Sequence, residues 1–150
     1  MYVAISKPLS GLHILMNLIE WSKDLSVGVQ KIDNEHKQLI AIINKLHETQ
    51  IVRGHKKIIE ELIESLVIYT RTHFQTEERL MKNHECPTYL SHKKMHDHLV
   101  MQVYEFQQKY NHGIIPSSNE LAIFLQNWLT HHIQGTDKQM GLFLNQNGVY

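Results

Sequence analysis

The stretch "ELIESLVIYTRTHFQTEERLM", residues 61 to 81, carries the clearest fold signal in the chain. Apolar side chains recur in it at steps of three and four, which is the spacing of one face of an α-helix. They are Leu62, Ile63, Leu66 and Tyr69. The same face continues to His73 and Glu77, where an imidazole and a carboxylate interrupt the apolar stripe. The pattern predicts a helix from about His55 to Lys82 whose inner face ends in polar groups.

Three other stretches show the same periodicity. In chain order, the four predicted helices run from Asp33 to Gly54, from His55 to Lys82, from after Pro87 to Gly113, and from Ser117 to beyond His132. Asp33 is a candidate N-cap, and Ser117 with Glu120 forms a capping box. In the last helix, Gly135 is expected to loosen the backbone just before Asp137.

Four helices of roughly 20 residues, each about 30 Å long, are joined by short connections. The economical architecture is an all-α, up-down-up-down antiparallel four-helix bundle, and no alternating strand pattern competes with it. Residues 1 to 30 are predicted to form an N-terminal extended arm packed on the bundle and anchored by Trp21. Residues 31 to 150 are predicted to form the bundle itself.

The composition excludes several classes of function. Fifteen basic and fifteen acidic side chains cancel, so there is no electrostatic case for binding nucleic acid or an anionic membrane surface. The longest apolar stretch near the start, residues 14 to 19, is broken by Asn17 and is too short to span a bilayer. The single cysteine, Cys86, excludes an internal disulfide and fits a reducing compartment, so we expect a cytoplasmic protein.

Twelve histidines are unusually many for this length and raise the question of metal binding. Seven potential ligands lie on faces that helical phase directs inward: His36, His73, Glu77, His92, His96, His132 and Asp137. Residues four apart on a helix are neighbours, so His73 with Glu77 can grip one ion together. Two unpaired buried carboxylates, at several kcal/mol each, would rival the stability of a domain, about 5 to 15 kcal/mol. A bound cation removes that cost.

The ligand set also narrows the choice of ion. Five imidazoles and two carboxylates, without a thiolate, exceed what one tetrahedral zinc uses. They fit two octahedrally inclined ions better, and imidazole together with carboxylate suits iron. If both carboxylates bridge, three imidazoles can bind one metal and two the other. The second metal then keeps a position where a small molecule could bind.

On these residues the chain resembles the haemerythrins, and in particular the single-domain bacteriohaemerythrins, over about residues 21 to 145. The matching pieces are Trp21, Val27-Gly28-Val29, Ile32-Asp33-x-x-His36, His73-Phe74-x-x-Glu77-Glu78, His92-x-x-x-His96 and Trp128-Leu129-x-x-His132-Ile133-x-x-x-Asp137. The resemblance implies two iron ions in a non-haem di-iron site with an oxo or hydroxo bridge. By that resemblance, His92, His96 and His132 hold one iron. His36 and His73 hold the other, while Glu77 and Asp137 bridge the two.

The resemblance further implies reversible binding of molecular oxygen at the iron held by His36 and His73. Such binding would serve oxygen storage, carriage or delivery to an oxygen-consuming protein, and no substrate would be transformed, so we expect no enzymatic activity. Five apolar residues flank the ligands in sequence and are expected to line the oxygen pocket: Leu39, Phe74, Trp128, Leu129 and Ile133. An apolar lining would admit oxygen and exclude water.

Other functions remain open from the residues alone. A sensor of oxygen, nitric oxide or redox state could use the arm at residues 1 to 30 as its output element. A di-iron oxidase or peroxide-handling enzyme is a further alternative, although the Glu-x-x-His motif of the carboxylate-rich class is absent. A zinc hydrolase would need His-Glu-x-x-His, which is also absent. A metal-free bundle would require each buried histidine to be hydrogen-bonded within the protein.

Two neighbours of the proposed ligands need separate interpretation. His131 adjoins His132, but one residue along a helix turns the side chain by about 100°, so His131 is predicted to face away from the core. Glu78 adjoins Glu77 and is interpreted as a solvated neighbour, more suited to an ion pair than to metal binding.

Overall fold

The structure is a computed structural model that describes residues 17–49, 56–114 and 118–150, apart from the side chain of residue 118. The described residues form five α-helices: α1 (Gln30–Glu48), α2 (Lys56–Asn83), α3 (Tyr89–Asn111), α4 (Ser118–His132) and α5 (Lys138–Gln146). A π-helical turn, Ile133–Asp137, joins α4 directly to α5, so these two form one continuous rod. No strand occurs in the described ranges. The predicted all-α four-helix bundle is confirmed.

The helices pack in the order expected for a bundle of short connections. α2 lies between α1 and α3, and α4 lies against α1. α3 and α4 meet through Phe106 and Phe124, whose ring centroids are 5.6 Å apart. In the described part of the chain, no helix combines the length and the apolar composition needed to cross a bilayer.

The helix ends lie close to their predicted positions where the structure describes them. α2 and α3 begin and end within two residues of the predicted bounds. Gly113, just after α3, has a φ of +77°, the left-handed conformation that commonly follows the end of a helix. α1 ends at Glu48, and its predicted stop, Gly54, lies outside the described residues. The predicted cap Ser117 lies outside them as well.

The start of α1 differs from its prediction. The helix begins at Gln30 with Val29 at the N-cap position, so the prediction of Asp33 as N-cap is wrong. Asp33 lies in the first turn, where its carboxylate accepts hydrogen bonds from the Val27 backbone N–H, at 2.8 Å, and the Ser26 hydroxyl, at 2.5 Å. The Asp33 side chain therefore stabilises the loop before α1 and does not act as the N-cap of the helix.

The segment from residue 17 to residue 29 packs along α1 and α4. The Ile19 N–H donates to Asn44 Oδ1 and the Asn44 side-chain amide donates to the Ile19 carbonyl, both at 2.9 Å. Gln126 on α4 donates to the Leu18 carbonyl at 2.8 Å. Trp21 is half-buried, with the Lys37 ammonium 4.9 Å from its ring centroid. Residues 1 to 16 lie outside the described residues, so the division into an arm and a bundle at residue 30 stays a prediction.

The core is apolar on both sides of a single polar layer. The buried residues that precede or follow the proposed ligands along the helices are mainly aliphatic: Ile32, Leu39, Met81, Leu99, Leu129 and Met140. This arrangement excludes bulk water from the polar layer. Charges and lone pairs in it therefore interact far more strongly than they would at the surface.

Candidate metal centre

All seven predicted ligands lie together in the core. None of them exposes more than 3% of its surface. His36 comes from α1, His73 and Glu77 from α2, His92 and His96 from α3, His132 from the end of α4, and Asp137 from the π-helical turn. They form a five-residue group, Glu77, His92, His96, His132 and Asp137, and a three-residue group, His36, His73 and Glu77. Within each group the ligand atoms lie within 4.8 Å of one another.

In the five-residue group, imidazole nitrogens and carboxylate oxygens converge at nearly equal distances. Glu77 Oε2 lies 3.3 Å from His92 Nε2 and 3.1 Å from His96 Nε2. Asp137 Oδ1 lies 3.1 Å from His92 Nε2 and 3.0 Å from His132 Nε2. The Nε2 atoms of His96 and His132 are 3.1 Å apart. Ligand atoms at right angles on an ion about 2.1 Å away would lie about 3 Å apart, so these spacings suit metal binding.

The three-residue group lies on the other side of the same carboxylates. Glu77 Oε1 lies 3.6 Å from His36 Nε2 and 3.4 Å from His73 Nε2. Asp137 Oδ2 lies 3.3 Å from His36 Nε2. Each carboxylate therefore turns one oxygen towards each group of histidines.

The π-helical turn explains how Asp137 joins His132. Five residues along a regular α-helix turn a side chain by about 140° from its starting direction. A π turn has hydrogen bonds between residues five apart, so its side chains at that spacing come to the same side. The structure places the turn at Ile133–Asp137 and includes Gly135, where the sequence predicts a loosened helix.

Several polar atoms of the centre have no hydrogen-bond partner among the described residues. In the described part of the chain, His36 Nε2, His92 Nε2 and all four oxygens of Glu77 and Asp137 are buried and unpaired. Buried polar atoms are normally hydrogen-bonded, since leaving one unpaired is costly. The Nε2 atoms of His36 and His92 lie 3.1 to 3.6 Å from the oxygens of Glu77 and Asp137, around a shared space. The residues present fit the binding of cations.

Two further carboxylates hold ligand histidines from outside. The Nδ1 of His73 lies 3.0 Å from Glu35 Oε2, and the Thr76 hydroxyl donates to Glu35 Oε1 at 3.2 Å. The Nδ1 of His96 lies 3.2 Å from Glu78 Oε1. We assign the proton of each imidazole to Nδ1, which leaves the Nε2 lone pair facing the centre.

These carboxylates are the main feature that the sequence interpretation missed. Glu35 has no role in it. The interpretation of Glu78 as an ion-pair partner is confirmed by Lys93, whose ammonium lies 4.0 Å away, but its description as solvated is wrong, because its side chain is only 19% exposed and contacts His96. Both adjoin a proposed ligand in sequence. One residue along a helix turns the side chain by about 100°, which directs each of these carboxylates to the seam with a neighbouring helix. Their position next to a predicted ligand is the sequence signal that could have identified them.

Aromatic rings pack against two of the ligands. The Phe74 ring stacks on His96, with centroids 3.7 Å apart and planes 5° from parallel. The Trp128 ring stacks on His132 at 4.3 Å and 18°. These rings restrict the rotation of both imidazoles and keep water from their faces.

A small apolar cavity lies among the residues that flank the centre. Its lining consists of Leu39, Ile43, Leu66, Thr70, Phe74, Leu99, Leu125, Trp128 and Leu129, and it leaves about 10 Å³ for the centre of a water-sized sphere. That is about the smallest volume that holds one water-sized molecule. Four of the five predicted pocket residues are in this lining, whereas Ile133 is buried but lies outside it.

A larger groove of about 360 Å³ opens on the outside of α3 and α4, and Trp128 borders both this groove and the inner cavity. His131 lines the groove beside His132. The side chain of His131 is exposed, and its Nδ1 lies 2.6 Å from the Asn127 carbonyl. The structure therefore separates the two adjacent histidines, one at the surface and one in the centre.

Proton affinities in the protein without metal follow from this crowding. Burial alone would lower the pKa of His36 and His92, but the facing Asp137 and Glu77 outweigh it and raise each pKa to about 9. Burial would raise the pKa of Glu77, and the surrounding histidines instead bring it well below its ordinary value. Asp137 behaves in the same way, with a lowered pKa, although burial and the Glu77 charge oppose the shift. A metal ion must therefore displace protons to bind.

Comparison with known proteins confirms the resemblance that the sequence motifs indicate. The family profile "Hemerythrin HHE cation binding domain" matches residues 27–143. The chain belongs to the haemerythrin family. Among curated haemerythrins, it is 34% identical over 135 residues to "Bacteriohemerythrin" of Stenotrophomonas maltophilia (strain R551-3), covering 87% of each chain.

Other haemerythrins extend the comparison. The chain is 38% identical over 117 residues to "Bacteriohemerythrin" of Pseudomonas aeruginosa (strain UCBPP-PA14), covering 78% of this chain and 75% of the relative. It is 30% identical over 118 residues to "Myohemerythrin" of Theromyzon tessulatum, covering 79% and 87%. The solved structure "Crystal structure of hemerythrin:wild-type" superposes with a TM-score of 0.80 at 30% identity, covering 85% of this chain and 98% of that one.

Proposed function

We propose that this protein binds molecular oxygen reversibly at a non-haem di-iron centre. One observation carries the proposal: Glu77 and Asp137 each turn one oxygen towards His92 and the other towards His36. A carboxylate in that position suits two ions side by side better than one. Membership of the haemerythrin family supports iron as the metal.

In this proposal one iron is held by His92, His96 and His132. The other is held by His36 and His73, with Glu77 and Asp137 bridging both. Ferrous iron at this site would supply the electrons for reversible oxygen binding. Beside the shared carboxylates, His36 and His73 offer one imidazole fewer than His92, His96 and His132, so the proposal assigns oxygen to the side of His36 and His73.

The remaining side chains restrict what can happen at the centre. Glu35 and Glu78 keep a proton on the Nδ1 atoms of His73 and His96, so both Nε2 lone pairs stay available. Leu39, Phe74 and Leu129 line the small cavity and exclude the water that would promote irreversible oxidation. Apart from the Thr70 hydroxyl and the Trp128 indole, the lining of this cavity is aliphatic or aromatic, which suits the entry of an apolar diatomic molecule.

The physiological role we propose is storage, carriage or delivery of oxygen, with an oxygen-consuming protein as the recipient in the last case. The single cysteine makes the reducing cytoplasm the proposed compartment. Neither nucleic acid nor an anionic membrane is proposed as a partner, because the basic and acidic side chains are equal in number.

The proposal is tested by an optical spectrum of the reduced protein under oxygen and then under vacuum. A visible charge-transfer band should develop on aeration and disappear on degassing over repeated cycles. His73→Ala should abolish the band, while His131→Ala, which alters the exposed neighbour of a ligand, should retain it. A band that never reverses would favour an oxidase or a redox sensor over reversible binding.

A further inference from the structure

Three charged residues outside the proposed ligand set lie together on the seam between α2 and α3. They are Glu78 on α2, and Lys93 and Asp97 on α3. Each directly follows a proposed ligand in the sequence, so a turn of about 100° takes its side chain from the core to the flank of the helix. On α3 the proposed ligands His92 and His96 are four residues apart. Lys93 and Asp97, each one residue further along, have the same spacing and form an ion pair.

The contacts form a continuous series from the surface to the metal centre. The Lys93 ammonium donates to both oxygens of Asp97, at 2.6 and 2.8 Å, and lies 4.0 Å from Glu78 Oε2. The other Glu78 oxygen lies 3.2 Å from His96 Nδ1. Side-chain exposure falls along the series, from 61% at Asp97 through 38% at Lys93 and 19% at Glu78 to 1% at His96. The charge at its outer end is thus reachable from solvent, whereas its inner end is not.

The charge on Glu78 affects the electron density of the imidazole that it holds. A carboxylate drawing on the Nδ1 proton of His96 makes its Nε2 a stronger donor, which stabilises a more highly charged metal ion. The positive charge of Lys93 offsets part of the Glu78 charge and weakens this effect. Asp97 also contacts the Lys93 ammonium, and its negative charge limits how far Lys93 neutralises Glu78.

The second outer carboxylate, Glu35, has no such counter-ion in the described part of the chain. It interacts with His73 and with the Thr76 hydroxyl. Within the described ranges no lysine or arginine nitrogen lies within 4.0 Å of it. The two groups of ligands are therefore held by carboxylates of different effective charge, although each group has one.

We propose that the surface pair Lys93 and Asp97 sets, through Glu78, how readily the iron bound by His96 is oxidised. The inference rests on the di-iron function proposed above. It makes Lys93 and Asp97 positioning residues, since they act through Glu78 and His96 and contact neither metal nor oxygen. It also makes the two irons unequal in their tendency to be oxidised.

Reductive titration of iron-loaded variants tests the proposal. Lys93→Met should raise the ratio of ferric to ferrous iron at a fixed applied potential about two- to fivefold, the range expected for a partly exposed ion pair. Asp97→Asn should lower that ratio, because Lys93 is then free to neutralise Glu78. The matched controls are Lys57→Met and Glu61→Gln, which alter an exposed pair of the same spacing on α2. Lys57 lies about 24 Å along the helix from His73, and both controls should leave the ratio unchanged.

A double-mutant test distinguishes an effect of Lys93 that passes through Glu78 from a direct effect of the lysine charge on the iron. In a Glu78→Gln protein, adding Lys93→Met should produce no further shift, because the charge that Lys93 offsets is gone. An undiminished shift in that background, or an equal shift in Lys57→Met, would overturn the proposal. If the Glu78→Gln protein fails to load iron, 15N-histidine NMR of the zinc-loaded protein tests instead whether Lys93 affects the His96 imidazole. The His96 Nδ1 proton resonance should then move in Lys93→Met and stay in Lys57→Met, and an unmoved resonance in both would count against us.

The failure of this inference is distinguishable from the failure of the oxygen-binding proposal. Iron content and the optical response to oxygen are measured on the same samples. A wild-type protein without two irons, or without a reversible band, would contradict the proposed function. Two irons, a reversible band and no shift in Lys93→Met would contradict only the role of the surface pair.

Discussion

Glu77 is the one residue that belongs to both groups of ligands. Its two oxygens face different histidines, and neither has a hydrogen-bond partner among the described residues. Changing Glu77 to Ala removes a ligand from each proposed iron and should lower iron well below two per chain, as measured by elemental analysis.

Glu61→Ala is the matched control, since it removes an exposed carboxylate from the same helix and should leave the iron content unchanged. Retention of two irons by the Glu77→Ala protein would remove this residue from the bridging position.

The neighbours His131 and His132 provide a second comparison at the residue scale. His132 is buried with its Nε2 3.0 Å from Asp137 Oδ1, whereas His131 is exposed and contacts a backbone carbonyl. His132→Ala should reduce iron binding, and His131→Ala should retain two irons, with metal content as the measurement. Equal losses in the two variants would show that the phase of α4 is wrong.

At the residue scale, the sequence predicts which side chains meet in the core where a single helix face decides their direction, while their role as metal ligands stays a prediction. Six of the seven positions follow from the apolar stripe on their own helix, whereas Asp137 reaches the group through the π-helical turn. Glu35 and Glu78 could not be assigned in that way, because their function depends on which neighbouring helix they face. Periodicity fixes a direction around one helix axis and says nothing about the identity of the neighbour.

At the scale of elements, the rod formed by α4, the π-helical turn and α5 contains two glycines with opposite surroundings. A Cβ atom added at Gly135 would meet nothing within 4 Å, whereas one at Gly141 would collide with the Val27 carbonyl oxygen and lie 2.9 Å from Val27 Cβ. Gly141 therefore allows the segment before α1 to pack closely on α5.

We expect Gly141→Ala to lower the free energy of unfolding by about 1 to 3 kcal/mol, since the obstacle is backbone that cannot move away freely. Gly135→Ala should leave it unchanged or raise it by up to about 1 kcal/mol, because alanine loses less entropy in a helix. Urea unfolding of both iron-loaded variants is the measurement. A loss of stability in Gly135→Ala as large as in Gly141→Ala would contradict this account of the rod.

Helix positions were predictable to within two residues for α2 and α3, because proline and glycine mark their ends. The start of α1 was not. An aspartate near a helix start can accept hydrogen bonds from the helix or from the loop before it, and only the path of residues 26 to 29 decides between them. Similarly, Gly135 indicated that the last helix is irregular at this position, but the sequence alone does not distinguish an interrupted helix from a π-helical turn.

At the scale of the whole molecule, the centre links stability to pH and to metal. In iron-free protein, the pKa of His36 and His92 is raised from 6.5 to about 9. The stability that their protonation adds to the folded state is therefore fully present below pH 6.5 and is lost as pH rises through 9. The lowered pKa values of Glu77 and Asp137 contribute stability above about pH 4.5 that is lost in acid. His96, with its pKa lowered by burial, opposes the two raised histidines in part.

The melting temperature of iron-free protein should therefore be highest between about pH 4.5 and 6.5 and should fall towards pH 9. Iron-loaded protein should melt at a higher temperature and should not lose stability between pH 6.5 and 9, because its imidazoles are already neutral. Thermal melting of both forms across this range is the measurement. A rise in stability of the iron-free protein above pH 6.5 would contradict the assigned charges.

The central claim is that seven inward-facing side chains hold two iron ions side by side. The most direct measurement is anomalous diffraction at the iron absorption edge from crystals of the iron-loaded protein. We predict two peaks in the bundle core, one beside His92, His96 and His132 and the other beside His36 and His73, with Glu77 and Asp137 between them. A single peak, or no peak among these side chains, would contradict the account.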